Sequence, residues 1–313
     1  MRWSVAIFSS RETVQTLSAS IGAILTAANE VASTIDVIVN GNPELANEVG
    51  RYIETLRPAG RPPTVMRIWY VSVADKAHAW NKYIYDILPA SEIAFFVDGY
   101  AQVTPEALKL ISDGLGATPK ALAATGVPTI GRSSGLQTEL MLREGGLHGS
   151  LYAVRGGFVE QLRSIGFLLP LGLYRTDGVL GAAISFALDP AKNDWDSKRI
   201  LVHPKATWKI RPLSWASAAD IRSHLKKIMR QAQGVLENLA VREHLAIQKK
   251  PPQSFPRTSA ELVRSWIAEH PMPALKTFLS SPLCVAAAWK LRRPRDWSEA
   301  SRAAVLVTQT IFE

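Results

Sequence analysis

Over its first two-thirds the chain alternates short apolar runs with segments of helical spacing, and this alternation constrains the fold more than any other feature. Strands separated by helices lie side by side in parallel with the helices crossing over them, so the pattern predicts a layered α/β domain. Val5 to Phe8 reads as a first buried strand, and Val14, Leu17, Ile21, Ile24 and Leu25 give Thr13 to Ala28 the spacing of a helix. Ile35 to Val39, Val65 to Val71, Ile93 to Val97 and Ala121 to Val127 read as further strands, with helices over Glu44 to Leu56 and Asp75 to Leu88. Thr104 and Pro105 have the character of a helix cap and first turn. The glycine-rich stretch Gly131-Arg132-Ser133-Ser134-Gly135 reads as a loop, Leu151 to Val154 as a strand, and Phe158 to Ile165 and Val179 to Leu188 as helices. Ile200 to His203 and Thr207 to Ile210 read as the last strands, and beyond Pro212 the pattern is helical to the end of the chain. Two regions are therefore expected, 1–213 and a helical extension over 214–313.

Charge separates the same two regions. The formal net charge is +9, of which 214–313 carries 15 basic and 8 acidic residues, net +7, while 1–213 carries 21 and 19, net +2. That placement argues against a nucleic-acid channel through the main domain and gives the extension the task of facing something anionic. The apolar run Phe278 to Trp289, followed by Lys290, Arg292, Arg293 and Arg295, suits either a helix lying peripherally on an anionic membrane surface or a buried helix with a solvated basic end or a dimer contact. No run reaches the roughly 18 uncharged apolar residues of a membrane span. Cys284 is the only cysteine, so no intrachain disulfide forms and a reducing, cytoplasmic setting is the expectation. The N-terminal apolar run is short and soon meets Arg11-Glu12, as in a first strand rather than a secretory leader.

Ligands of open α/β sheets bind beyond the carboxyl ends of the strands. The polar residues there are Ser9-Ser10-Arg11-Glu12, Asn40-Gly41-Asn42, the segment Asp75-Lys76-Ala77-His78-Ala79-Trp80-Asn81, Asp98-Gly99-Tyr100, and Tyr174-Arg175-Thr176-Asp177. Each has a bland alternative: Asp98 and Asp177 each precede a glycine, as turn and cap residues do, and Asn40-Gly41 forms a turn whatever it binds.

Taken in order over residues 3 to 210, these segments resemble the family 2 glycosyltransferases of the GT-A fold, which transfer sugars from nucleotide donors. Asp75 to Asn81 is similar to that family's Gly-Lys-Ala-x-Ala-x-Asn helix start, and Asp98-Gly99-Tyr100 to its Asp-x-Asp motif, with Tyr100 in place of the second carboxylate. Thr176-Asp177 resembles its Glu-Asp motif. The resemblance implies a Rossmann-like, mostly parallel central sheet. It puts Ser9, Glu12, Asn40, Lys76 and Asp98 at the nucleotide and Asp177 as general base of an inverting transfer to a hydroxyl of a glycan or lipid-linked acceptor. It also implies a divalent cation, Mn or Mg, held by Asp98 with His203; the tyrosine at position 100 leaves open the alternative that Lys76, Arg132 or Arg155 neutralises the diphosphate. Two competing readings stay open: a nucleotidyltransferase, for which no glycine-rich Arg-Lys signature follows the first strand, and a degenerate GT-A-like binding or scaffold module.

Overall fold

Seven consecutive buried residues, Trp3–Ser9, form β1, and eight, Ser33–Asn40, form β2. Strands buried on both faces belong in the middle of a covered parallel sheet. The computed structural model, which describes residues 2–57, 62–129, 134–210 and 218–312, places them there. The sheet runs β5-β8-β6-β7-β4-β1-β2-β3-β9, built from these two with β3 (Thr64–Val71), β4 (Ile93–Asp98), β5 (Gln102–Val103), β6 (Ala123–Pro128), β7 (Leu151–Arg155), β8 (Ile200–Lys209) and β9 (Val305–Phe312). β3, β2, β1 and β4 are mutually parallel; β7 enters antiparallel between β4 and β6. The two late strands expected from the sequence are one, β8, whose register with β6 shifts between Thr125 and Val127.

Helices cover both faces. α1 (Val14–Ala27), α2 (Pro43–Thr55) and α4 (Ala107–Ala117) bury Leu17, Ile21, Val49, Ile53 and Ile111 against Val5, Ile7 and Val37. The opposite face takes α3 (Lys76–Lys82), which widens into a π-type turn at Tyr83–Ile87, with α6 (Gly156–Ser164) and α7 (Thr176–Ser185). Local chemistry starts these helices where they are: Thr13 caps α1, Asn42 caps α2 with Pro43 in its first turn, and Asp75 caps α3. α5 (Ser134–Glu144) replaces the second part of the expected glycine-rich loop; its first part, Gly131 to Ser133, lies outside the described residues.

The C-terminal region begins with α8 (Ala218–Arg242) and continues through α9 (Ser259–Glu269), α10 (Pro271–Ser280) and α11 (Pro282–Leu291). Leu236, Ala240, Val263, Trp266, Cys284 and Ala287 join the same buried cluster as Trp80, Phe96, Leu180 and Ile184. The chain does not stay helical to its end. Val305–Phe312 is rich in β-branched and aromatic residues and pairs antiparallel with β3, closing that edge of the sheet.

Candidate functional site

The carboxyl ends of β1, β2 and β4 open into a cavity of about 970 Å³. Its walls are the Ser9–Glu12 loop, Asn40, the Ala74–Lys76 entry to α3, Asp98 and Tyr100, the His148–Gly149 segment before β7, the Gly172–Gly178 loop, and side chains of α5, α8 and α11. Gly41, at φ +69°, lets the end of β2 turn within touching distance of Ala74, where any side chain would overlap it.

Three charged groups converge on one point of this cavity. A methyl group built on Gly149 would lie 3.2 Å from Lys76 Nζ, 3.4 Å from Asp98 Oδ2 and 3.5 Å from Asp177 Oδ2. Lys76 ion-pairs with Asp98 Oδ1, and Tyr100 donates its hydroxyl to Asp98 Oδ2 at 2.7 Å. Desolvation alone lowers an ammonium pKa, but the carboxylates of Asp98, Asp177 and Glu12 outweigh it, and the pKa of Lys76 is raised. Lys76 therefore stays charged. Desolvation and the adjacent Asp98 likewise push the Tyr100 hydroxyl well above its ordinary range, so it remains a donor. Asp177, in the first turn of α7, accepts from Gly149 N–H at 2.8 Å and from Gly178 N–H at 3.0 Å, which fixes the carboxylate toward the cavity.

Of the other residues singled out from the sequence, several line the cavity but spend their polar groups on the scaffold. Glu12 Oε2 accepts from Ser9 Oγ at 2.6 Å and from the backbone N–H groups of Ser10 and Arg11, closing the loop after β1. The Asn40 amide, oriented so that both of its groups are satisfied, donates to Ser9 O and accepts from Asp75 N–H. Within the Asp75–Asn81 segment only Lys76 presents its charge to the centre. Asp75 Oδ1 holds the His78 N–H and its Oδ2 the Gly172 N–H, and Oδ2 stands 3.5 Å from Arg295; Trp80 donates to Tyr152, and Asn81 exchanges two hydrogen bonds with Leu169.

Two expected cationic or metal-binding groups are elsewhere. His203 does not border the cavity: its ring lies beside Gly114 of α4, and its Nδ1 accepts from Lys205 and Ala206 N–H across the turn inside β8. Arg155 spends its guanidinium on the carbonyls of Leu115, Thr118 and Ala121 at the end of α4. Arg132 is outside the described residues. A divalent cation at Asp98 would take most of its ligands from phosphate and water. Both carboxylate oxygens already accept hydrogen bonds, and no three His, Cys, Asp or Glu side chains gather among the described residues, whereas a hard cation takes about six oxygen ligands or more.

The structure also brings in residues that the sequence reading did not select. His148 packs tilted against Trp208 with ring centroids 4.5 Å apart, and burial lowers its pKa despite the nearby Asp177 and Asp98. Its Nδ1 accepts from Ser150 N–H, so the neutral ring carries its proton on Nε2 and acts there as a donor, not a base. Lys226, Met229, Arg230 and Gln233 reach the cavity from α8, and Lys290 and Arg295 from α11 and the segment after it. The sequence shows these cations as part of the basic C-terminal region, but only the packing of α8 and α11 over the sheet brings them to the strand ends.

No protein-family model matches the sequence, and no curated protein matches it. Solved structures do. Mannosyltransferase PcManGT from Pyrobaculum calidifontis, in complex with GDP-Man and Mn2+, is 16% identical with a TM-score of 0.57; the alignment covers 95% of this chain and 77% of that one. TarS 1-349 of S. aureus, in complex with UDP-GlcNAc, is 10% identical with a TM-score of 0.52, covering 93% and 80%. At these identities the likeness is one of fold. The chain has the GT-A fold, a mostly parallel sheet between helical layers, followed by a helical C-terminal region.

Proposed function

We propose that the protein is a nucleotide-sugar-dependent glycosyltransferase that inverts the anomeric centre, with Asp177 as its general base. The observation that carries this reading is the convergence of Lys76, Asp98 and Asp177 around Gly149 at the mouth of the central strands. Such a transfer needs a fixed positive charge where the diphosphate departs and a carboxylate where the acceptor hydroxyl arrives. Lys76 supplies the first and Asp177 the second. As the acceptor oxygen attacks, the bond from the anomeric carbon to the diphosphate oxygen breaks and its electron pair leaves with the diphosphate. The hydroxyl proton passes to the Asp177 carboxylate. Asp98, held by Lys76 and Tyr100, is set to accept from a sugar or ribose hydroxyl, and His148 lines the same cavity.

In this reading the diphosphate is met by side-chain cations, Lys76 first among them. Calorimetric titration with uridine, guanosine and thymidine diphosphates, with manganese and with excess chelator, followed by hydrolysis assays on the matching sugar donors, tests it. Binding and turnover that persist in chelator are expected. Turnover that requires manganese would remove the role given to Lys76. A second reading, a binding module without transfer, is favoured by the absence of a carboxylate at position 100, and nucleotide binding with no hydrolysis or transfer of any donor would select it.

A further inference from the structure

The cavity is richer in cations than one diphosphate requires, and the surplus lies on a particular side. Among the described residues four carboxylates line it, and only Asp75 and Asp98 face a cation: Glu12 is held by the loop after β1, Asp177 by the Gly149 and Gly178 N–H groups, Asp75 by backbone N–H groups and Arg295, and Asp98 by Lys76 and Tyr100. Among the described residues no carboxylate pairs with Arg175, Lys226 or Arg230. Unpaired cations gathered in one concave site create a field that selects an anion.

Their position follows from the helix. Residues 226, 230 and 234 are spaced four apart on α8 and share one face, with successive members about 6 Å apart along the axis. At the end of that row Gly234 packs on the loop before α7: a methyl group there would meet Arg175 Nε at 2.9 Å and Tyr174 Cδ1 at 3.1 Å. One turn earlier comes Arg230, and one turn before that Lys226. Glu237 and Gln233 lock the same contact, Glu237 accepting from the Tyr174 and Arg175 N–H groups and Gln233 donating to Gly172 O. Arg175 therefore stands in the loop that leads to Asp177, and Arg230 and Lys226 line the same cavity one and two turns along α8 from its contact with that loop. Arg295, by contrast, donates to Ala74 O and stands 3.5 Å from Asp75, on the side of the β3–α3 loop.

We infer that the acceptor is anionic, carrying a phosphate or carboxylate that Arg175, Lys226 and Arg230 hold while its hydroxyl is presented to Asp177. This rests on the transferase reading above. It also gives the excess charge of the C-terminal region a job inside the site, because a charge fixed beside the base orients one hydroxyl among several.

The test uses the full chain, a sugar donor that it hydrolyses, and three compounds of one skeleton: glycerol 3-phosphate, glycerate and glycerol. Donor consumption and product are followed as each is added. At least one charged compound is expected to change donor turnover, by transfer or by displacing water, at a concentration tenfold or more below that of glycerol, and the two charged arms separate phosphate from carboxylate recognition. In Lys226→Gln/Arg230→Gln that advantage is expected to shrink to threefold or less. Equal concentrations of charged and neutral compounds would overturn the inference while leaving the transferase reading intact. So would a double variant that raises the donor KM as much as it weakens the charged compound, since the cations would then serve the donor. A chain that binds no nucleoside diphosphate and hydrolyses no donor would overturn both.

Discussion

Gly149 is the residue on which the site turns. Its hydrogen leaves the space into which Lys76, Asp98 and Asp177 all point, and its N–H anchors one oxygen of Asp177. An alanine there would press on Lys76 Nζ at 3.2 Å, a contact a flexible ammonium relieves by moving away from Asp98. Gly149→Ala is therefore expected to keep the fold, read by circular dichroism and melting temperature, and to lower donor turnover by about tenfold or more, as small misplacements in a preorganised site do. An unchanged rate would mean that the three groups do not act together. At this scale sequence and structure agree unevenly. Lys76, Asp98 and Asp177 were legible because each ends or begins an element, and strand ends are where this fold keeps its chemistry. Ser9, Glu12 and Asn40 reach the same cavity yet satisfy one another and the backbone, which no motif reveals. His203 sits on a strand that folds its neighbourhood toward α4, away from the cavity.

The start of α7 is an element held from outside itself. It has no side-chain cap, and the N–H groups of Tyr174 and Arg175 just before it are taken by Glu237, a buried carboxylate of α8. Burial pushes the Glu237 carboxyl up to about 7, against the hydrogen bonds from Gln233, Tyr174 and Arg175 that pull it down. Between its ordinary 4.5 and about 7 the folded chain binds a proton that the unfolded chain has released, so stability falls as pH rises through that window. The full effect is about 3 kcal/mol. Urea unfolding at pH 5, 6 and 8 is expected to show this decline, and Glu237→Gln to flatten it. A slope identical in the variant would assign it to other groups. The helix itself was legible in the sequence as Val179 to Leu188, whereas its partner was not, since the contact joins residues 63 positions apart.

Across the whole molecule the C-terminal third completes both the core and the cavity. Its helices share a buried cluster with α3, α6 and α7, and β9 forms the sheet edge beside β3, with Phe312 only 5% exposed. Removing that ring by Phe312→Ala is expected to destabilise the chain by about 3 kcal/mol in urea unfolding, a core-type loss from a segment that the sequence pattern assigns to helix. A change near zero would make β9 dispensable. The parallel centre of the sheet was readable because its strands are apolar on both faces, while β9 could not be told from helix without the partner strand that gives it a ladder. The +7 charge of the region was equally plain as a number, but its direction, through Lys226, Arg230, Lys290 and Arg295 into the cavity, depends on how α8 and α11 lie on the sheet. All of this frames one carboxylate at the junction of the two parts. The most direct measurement is the rate of sugar transfer from the bound donor by the native chain and by Asp177→Asn. A loss of roughly 10²–10⁴-fold is expected, with nucleotide diphosphate affinity retained; a variant that transfers at the native rate would mean that Asp177 is not the base.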